Sequence, residues 1–133
     1  VIEAGYGLGE GVVSGVVDVD RYYVDKADCS VVSVHVGNKA FMVKQHPSGK
    51  GTSIVPVETH LRDVPCLKKN DVRANIAIAL EDHYALSQDI EFGVANGKLS
   101  ILQTRPVTTR GLGQTFLTRD KVAEEAGIGR GRA

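Results

Sequence analysis

Asn96-Gly97, set between two arms of alternating apolar and polar residues, constrains this chain more than any other feature, because that dipeptide is a strong local hairpin signal. Residues 88–109 read Gln-Asp-Ile-Glu-Phe-Gly-Val-Ala-Asn-Gly-Lys-Leu-Ser-Ile-Leu-Gln-Thr-Arg-Pro-Val-Thr-Thr. Asp89 and Glu91 lie two apart, as do Gln103 and Arg105. In an extended chain such pairs share a face, so each arm presents two polar groups to one side.

Whether the two pairs meet depends on register, since a slip of one residue sends every side chain to the opposite face. A two-residue type I′ turn at Asn96-Gly97 would set Asp89 and Glu91 away from Gln103 and Arg105. An odd-length loop, with Gly97 left-handed in a G1 bulge, would bring all four together. The odd register collects Ile90, Phe92, Val94 and Leu102 on one face and the four polar groups on the other, with Leu99 and Ile101 joining the polar side. That segregation favours the odd register.

A carboxylate and a carboxamide offer hard oxygen ligands to Mg2+, which keeps several waters and bridges substrate phosphates instead of sitting in an all-protein cage. Arg105 is permanently charged and donates through a planar fork, which suits a phosphate whose charge shifts during transfer. A site for a magnesium-bound nucleoside triphosphate is one reading. The other is a solvated hairpin face whose cross-strand pairs contribute roughly 0.2–1 kcal/mol each. Spacing alone leaves both open.

Elsewhere, Tyr22-Tyr-Val, Val31-Val-Ser-Val-His-Val36, Ala40-Phe-Met-Val43 and Ser53-Ile-Val-Pro-Val57 are short apolar runs of β character. Gly37-Asn38 favours a tight hairpin, and Pro47-Ser-Gly-Lys-Gly51 a looser connection. Residues 70–84 are the clearest helix candidate, with Val72, Ile76, Ala79, Leu80 and His83 at helical spacing. Together these predict an α+β fold with a mainly antiparallel sheet and one principal packing helix.

Gly5-Tyr-Gly-Leu-Gly-Glu10-Gly11 is not a dinucleotide fingerprint, because Glu10 stands where the third glycine is required. A strand-to-helix turn leading into a short helix over residues 8–14 is the simpler reading. Gly49-Lys50 lacks the flanking residues of a phosphate-binding loop and reads as a surface turn. His35, His46 and His83 have no metal-ligand partners in the sequence. After Pro106, Gly111-Leu-Gly113 reads as a linker, and Thr118 as the cap of a short helix through Ala126 that Gly127, Gly129 and Gly131 then break.

Sixteen basic and sixteen acidic residues cancel, so no global field favours nucleic acid or an acidic membrane surface. No apolar run approaches the ~20 residues of a transmembrane helix. Cys29 and Cys66 are too far apart for a CxxC site, and two cysteines do not make a disulfide framework. Reduced thiols in a cytoplasmic protein are the expectation. The chain's 133 residues suit a single domain. It starts without methionine, inside the apolar run Val1-Ile2-Glu3-Ala4, and reads as a fragment.

Gln88-Asp-Ile-Glu91, followed by Gln103-Thr-Arg105-Pro, resembles the end of the ATP-grasp nucleotide-binding domain of pyruvate-utilising dikinases, a family that includes phosphoenolpyruvate synthase, pyruvate phosphate dikinase and rifampicin phosphotransferase. The run from Ile2 through Gly5-Tyr-Gly-Leu-Gly-Glu10-Gly-Val-Val-Ser-Gly15, then Arg21-Tyr-Tyr-Val24, is similar to the middle of the same domain. The likeness covers residues 2–109, and its Arg105-Pro-Val-Thr-Thr109 ending looks closer to the synthase and rifampicin branches.

The resemblance implies that Glu91 and Gln103 bind Mg2+, that Arg105 contacts phosphate as the catalytic arginine, and that Asp89 is an accessory acid in the ATP site. It also makes Glu10 a polar contact near the nucleotide. In that family the domain phosphorylates a histidine on a separate swivelling domain, which carries the phosphoryl group to pyruvate or another small acceptor. Thr59-His60 only superficially echoes that carrier, because it falls inside the part resembling the ATP-grasp domain. The resemblance therefore implies residues 1–109 as the C-terminal portion of the nucleotide-binding domain and 110–133 as a linker and the start of the phosphohistidine domain. The N-terminal half of the ATP site would lie upstream. A β-rich interaction module that kept the scaffold without catalysis is the alternative of a different class.

Overall fold

A computed structural model describes residues 1–68 and 72–108, together with the backbone of 117–121 and 129–132. The chain runs β1 (Ile2–Tyr6), α1 (Gly9–Ser14), β2 (Asp20–Val24), β3 (Val31–His35), β4 (Phe41–Gln45), β5 (Thr52–Pro56), α2 (Thr59–Arg62), α3 (Ala74–Tyr84), β6 (Gln88–Ala95), β7 (Lys98–Pro106), β8 (Leu117–Lys121) and β9 (Gly129–Arg132). The strands form a seven-stranded sheet in the order β3-β2-β1-β8-β9-β6-β7 and a separate two-stranded ribbon, β4-β5. Pairing is antiparallel except where β8 lies parallel to β1 and β6. This is the expected α+β architecture.

The core lies on one face of the large sheet. Ile2, Ala4, Tyr22, Ile90, Phe92 and Val94 meet Val57, Cys66, Leu67 and Ala77 there, and each large apolar side chain so buried stabilises the fold by about 1.5–3 kcal/mol. Strand period explains the set: Ile90, Phe92 and Val94 alternate along β6, which leaves Asp89 and Glu91 on the opposite side.

α3 begins at Ala74, later than the periodicity suggests, and ends where Ala85 turns left-handed at φ 53°. Residues 69–71 lie outside the described residues. Its most buried positions are Ala74 and Ala77, with Val72 and Leu80 packed beside the core. Ala79 and His83, expected on the packing stripe, are exposed. Small alanines let the helix approach the sheet closely, so the contact line is set by them instead of by the bulkier residues one step round the helix.

Gly37-Asn38 does not close a hairpin. β3 pairs with β2, and β4 pairs with β5, so the segment between them crosses from sheet to ribbon. Gly37 is there because a Cβ would stand 2.4 Å from the Val19 carbonyl oxygen. The connection at residues 46–51 is the loop of the β4-β5 hairpin, as expected, closed by the His46 N–H donating to the Gly51 carbonyl at 2.9 Å.

The helix expected from Thr118 is also corrected: Leu117–Lys121 is a strand, where pairing on both edges with β1 and β6 overrides a weak capping signal. Residues 122–128, and the linker reading of Gly111 to Gly113, lie outside the described residues. Cys29 and Cys66 are free thiols. Among the described residues no helix is long and apolar enough to cross a membrane.

Candidate functional site

The β6-β7 ribbon carries the polar quartet, and its register differs from the expectation in an instructive way. Asn96 (φ 51°) and Gly97 (φ 72°) are both left-handed and Ala95 pairs with Lys98, the signature of a two-residue type I′ turn. The odd-length G1 loop is therefore not what forms. Pairing runs Val94–Leu99, Gly93–Ser100, Phe92–Ile101, and then shifts: Glu91 pairs with Gln103, Ile90 with Thr104 and Asp89 with Arg105. Leu102 is the extra residue of a bulge in mid-strand.

That one residue does the work assigned to the turn. Below it, Asp89 and Glu91 stand directly across from Arg105 and Gln103; above it, Leu99 and Ile101 return to the core face opposite Val94 and Phe92 instead of joining the polar side. Leu102, expected on the apolar face, is exposed. The bulge thus keeps the polar quartet on one face and turns Leu99 and Ile101 toward the other, although Ile101 remains 41% exposed there.

Arg105 donates from Nε at 2.9 Å and from Nη2 at 2.8 Å to the same oxygen, Oδ2, of Asp89. Asp89 is only 4% exposed, whereas the Arg105 side chain is 46% exposed. A buried acid thus holds one edge of a guanidinium whose remaining surface reaches solvent, and charge assistance makes such contacts stronger than neutral hydrogen bonds. On the reverse face, Thr104 donates to Gln88 Oε1 at 3.0 Å, and Gln88 Nε2 donates to the Leu86 carbonyl at 3.0 Å, pinning the base of the ribbon.

Glu10 comes from a different element, the first turn of α1, and accepts a hydrogen bond at 3.2 Å from Thr52 Oγ1 on the β4-β5 hairpin. His60 stands exposed on α2, with its Nδ1 3.5 Å from Glu58. No group of three or more His, Cys, Asp or Glu converges as a metal centre among the described residues. The Glu91 and Gln103 pair still fits a hard cation, since Mg2+ is held by one or two carboxylates together with substrate phosphates and water.

Sequence reasoning missed a second polar assembly. Asp20 and Lys39 form an ion pair at 2.6 Å with side-chain exposures of 0% and 1%. Asp20 Oδ1 also accepts the Gly37 N–H at 2.9 Å, while Oδ2 accepts the Cys66 N–H at 2.7 Å and the Tyr22 hydroxyl at 3.4 Å. Lys39 Nζ further donates to the Gly37 carbonyl at 3.1 Å. The Tyr22 oxygen in turn accepts the Leu67 N–H at 2.9 Å. Burial pushes the Tyr22 phenol and the Cys66 thiol well above their usual ranges, with the Asp20 charge adding to both.

This node ties β2, the crossing into β4 and the segment after α2, parts of the chain up to 46 residues apart. It fixes where the β4-β5 hairpin leaves the sheet. The only sequence signal was an acid opening one β run and a lysine preceding another, and charges in such places ordinarily face water.

Residues 1–125 match the family described as pyruvate phosphate dikinase, AMP/ATP-binding domain. The chain is 36% identical over 130 residues to a probable phosphoenolpyruvate synthase of Methanocaldococcus jannaschii, covering 96% of this chain and 10% of that protein. It is 36% identical over 135 residues to phosphoenolpyruvate synthase of Pyrococcus furiosus, covering 95% and 16%. Similarity extends to the prodigiosin synthesizing transferase PigC of Serratia marcescens, 33% identical over 112 residues, covering 83% and 12%. The chain therefore spans between 10% and 16% of the length of these relatives. It belongs to the pyruvate phosphate dikinase AMP/ATP-binding domain family.

Proposed function

We propose that this segment supplies one wall of the ATP site in a phosphoenolpyruvate synthase-like phosphotransferase, which passes a phosphoryl group from ATP to an enzyme histidine and on to pyruvate. The observation that carries this is the register below Leu102, which sets two acids against an amide and an arginine on one face. Family membership and the named synthases support the ATP and the phosphotransfer.

Phosphoryl transfer asks a protein for positioning and charge stabilisation more than for covalent chemistry. Arg105 would contact the transferring phosphate with the edge of its guanidinium that Asp89 does not occupy. Asp89 would hold that side chain in one orientation, so little conformational entropy is lost when ATP arrives. Glu91 and Gln103 would hold Mg2+, which when bound neutralises phosphate charge. Glu10 would make a polar contact to the nucleotide. The accepting histidine would be carried by a separate domain downstream, and the other half of the ATP site by residues upstream.

In the full-length protein, Glu91→Ala and Arg105→Ala are each expected to abolish ATP-dependent phosphorylation while leaving the protein soluble and folded. Near-normal phosphorylation in both variants would remove the assignment. The nucleotide-binding portion is proposed to end at residue 109, with a competing limit at 125, where the family match stops. Limited proteolysis distinguishes the two by the position of the first cut. Similarity to PigC favours a second reading within the same frame, in which the final acceptor is a small molecule other than pyruvate.

A further inference from the structure

The glycines of the amino-terminal loop have an explanation that no nucleotide supplies. A Cβ on Gly7, whose φ is 88°, would stand 2.3 Å from the Val43 carbonyl oxygen, and a Cβ on Gly11 would stand 2.9 Å from Val43 Cγ2. The Leu8 N–H donates to that same Val43 carbonyl at 2.7 Å. Val43 is buried with Val12 and Val17 in a small apolar cluster of its own. The β4-β5 hairpin is thus seated on the loop and α1 through one residue of β4. Its other strand brings Thr52, the partner of Gln45 in the register, to Glu10, where Thr52 Oγ1 donates to Oε2.

We infer that the hairpin is a positioning device for Glu10, and that Thr52 is the residue through which it acts. The inference rests on the reading of Glu10 as a nucleotide contact. A glutamate at the start of a short helix has several rotamers open to it in solvent, and fixing one in advance removes an ordering cost from ligand binding. The apolar seat at Val43 sets the distance, and the Thr52 hydroxyl selects the rotamer. Removing that hydroxyl leaves the seat in place, so the hairpin stays docked while Glu10 is released.

The test uses the full-length protein with Thr52→Val, Thr52→Ser, Glu10→Gln and the double variant Glu10→Gln with Thr52→Val, read by steady-state kinetics with ATP as the varied substrate and by thermal unfolding. Thr52→Val is expected to raise the KM for ATP about threefold to tenfold, the range of one lost hydrogen bond, with kcat and thermal midpoint unchanged. Thr52→Ser, which keeps the hydroxyl, should restore the KM. Glu10→Gln should raise the KM at least as far, and the double variant should be no worse than Glu10→Gln alone. If Glu10→Gln leaves the KM unchanged, the nucleotide role of Glu10 falls and the inference with it. If Glu10→Gln raises the KM but Thr52→Val does not, or if the two effects multiply, Glu10 keeps its role and the positioning device is overturned.

Discussion

Lys39→Met gives the sharpest test of the buried node. Methionine keeps most of the apolar length of the stem and removes the ammonium that lies 2.6 Å from Asp20. The carboxylate, fully buried, then retains only neutral donors: the backbone N–H groups of Gly37 and Cys66 and the Tyr22 hydroxyl. Breaking a buried ion pair from one side costs about 3–5 kcal/mol, chiefly because the surviving charge is uncompensated. Three remaining donors place the expectation at the low end, about 3 kcal/mol, which shifts the ratio of folded to unfolded protein by roughly 150-fold. Urea denaturation followed by far-ultraviolet circular dichroism measures this directly. The double replacement Asp20→Asn with Lys39→Met removes both charges but turns an amide NH2 toward the Gly37 or the Cys66 N–H, so it should recover only the part of the loss that comes from the uncompensated charge. A single variant within about 0.5 kcal/mol of the parent would refute the assignment, since that is the range of an ordinary surface substitution.

Two further measurements probe the same fold. A thiol reagent should modify Cys29, which is partly exposed, and spare Cys66, whose thiol is kept protonated by burial beside Asp20; equal labelling rates before unfolding would contradict the packing. The Glu81 carboxyl is held below its ordinary range by hydrogen bonds from Lys26 and Ser87. Because its folded value is depressed, the stabilisation is complete at neutral pH and is lost as pH falls through that lowered value. Glu81→Gln should therefore flatten part of the acid limb of stability against pH, and superimposable curves would show that the pair contributes nothing.

Period and turn chemistry made most of the strands legible. Val31 to His35 and Phe41 to Gln45 could be located because β-branched and aromatic residues clustered between turn signals. How strands were partnered was less legible: Gly37 looked like a hairpin turn because its real constraint, the Val19 carbonyl lying against it, comes from a residue 18 positions earlier. The meeting of Asp89 and Glu91 with Arg105 and Gln103 was readable from polar spacing, but the bulge that produces it was not. Leu102 has no residue type that marks it as supernumerary, and only the competition between the apolar pair Leu99 and Ile101 above and the polar pair Gln103 and Arg105 below decides where the extra residue falls. Asp20 and Lys39 were invisible for a related reason. Each is an unremarkable charge until the chain brings it to its partner.

Leu102 also divides the ribbon into two independent halves. Everything from Ala95–Lys98 to Phe92–Ile101 counts its alignment from the loop tip, whereas everything from Glu91–Gln103 to Gln88–Pro106 counts it from the far end. The tip can therefore be lengthened, shortened or exchanged for another connector, with the mismatch absorbed at the kink, before the acid, amide and guanidinium lose their facing partners. A change at the loop end thus need not disturb the alignment of Asp89 and Glu91 with Arg105 and Gln103.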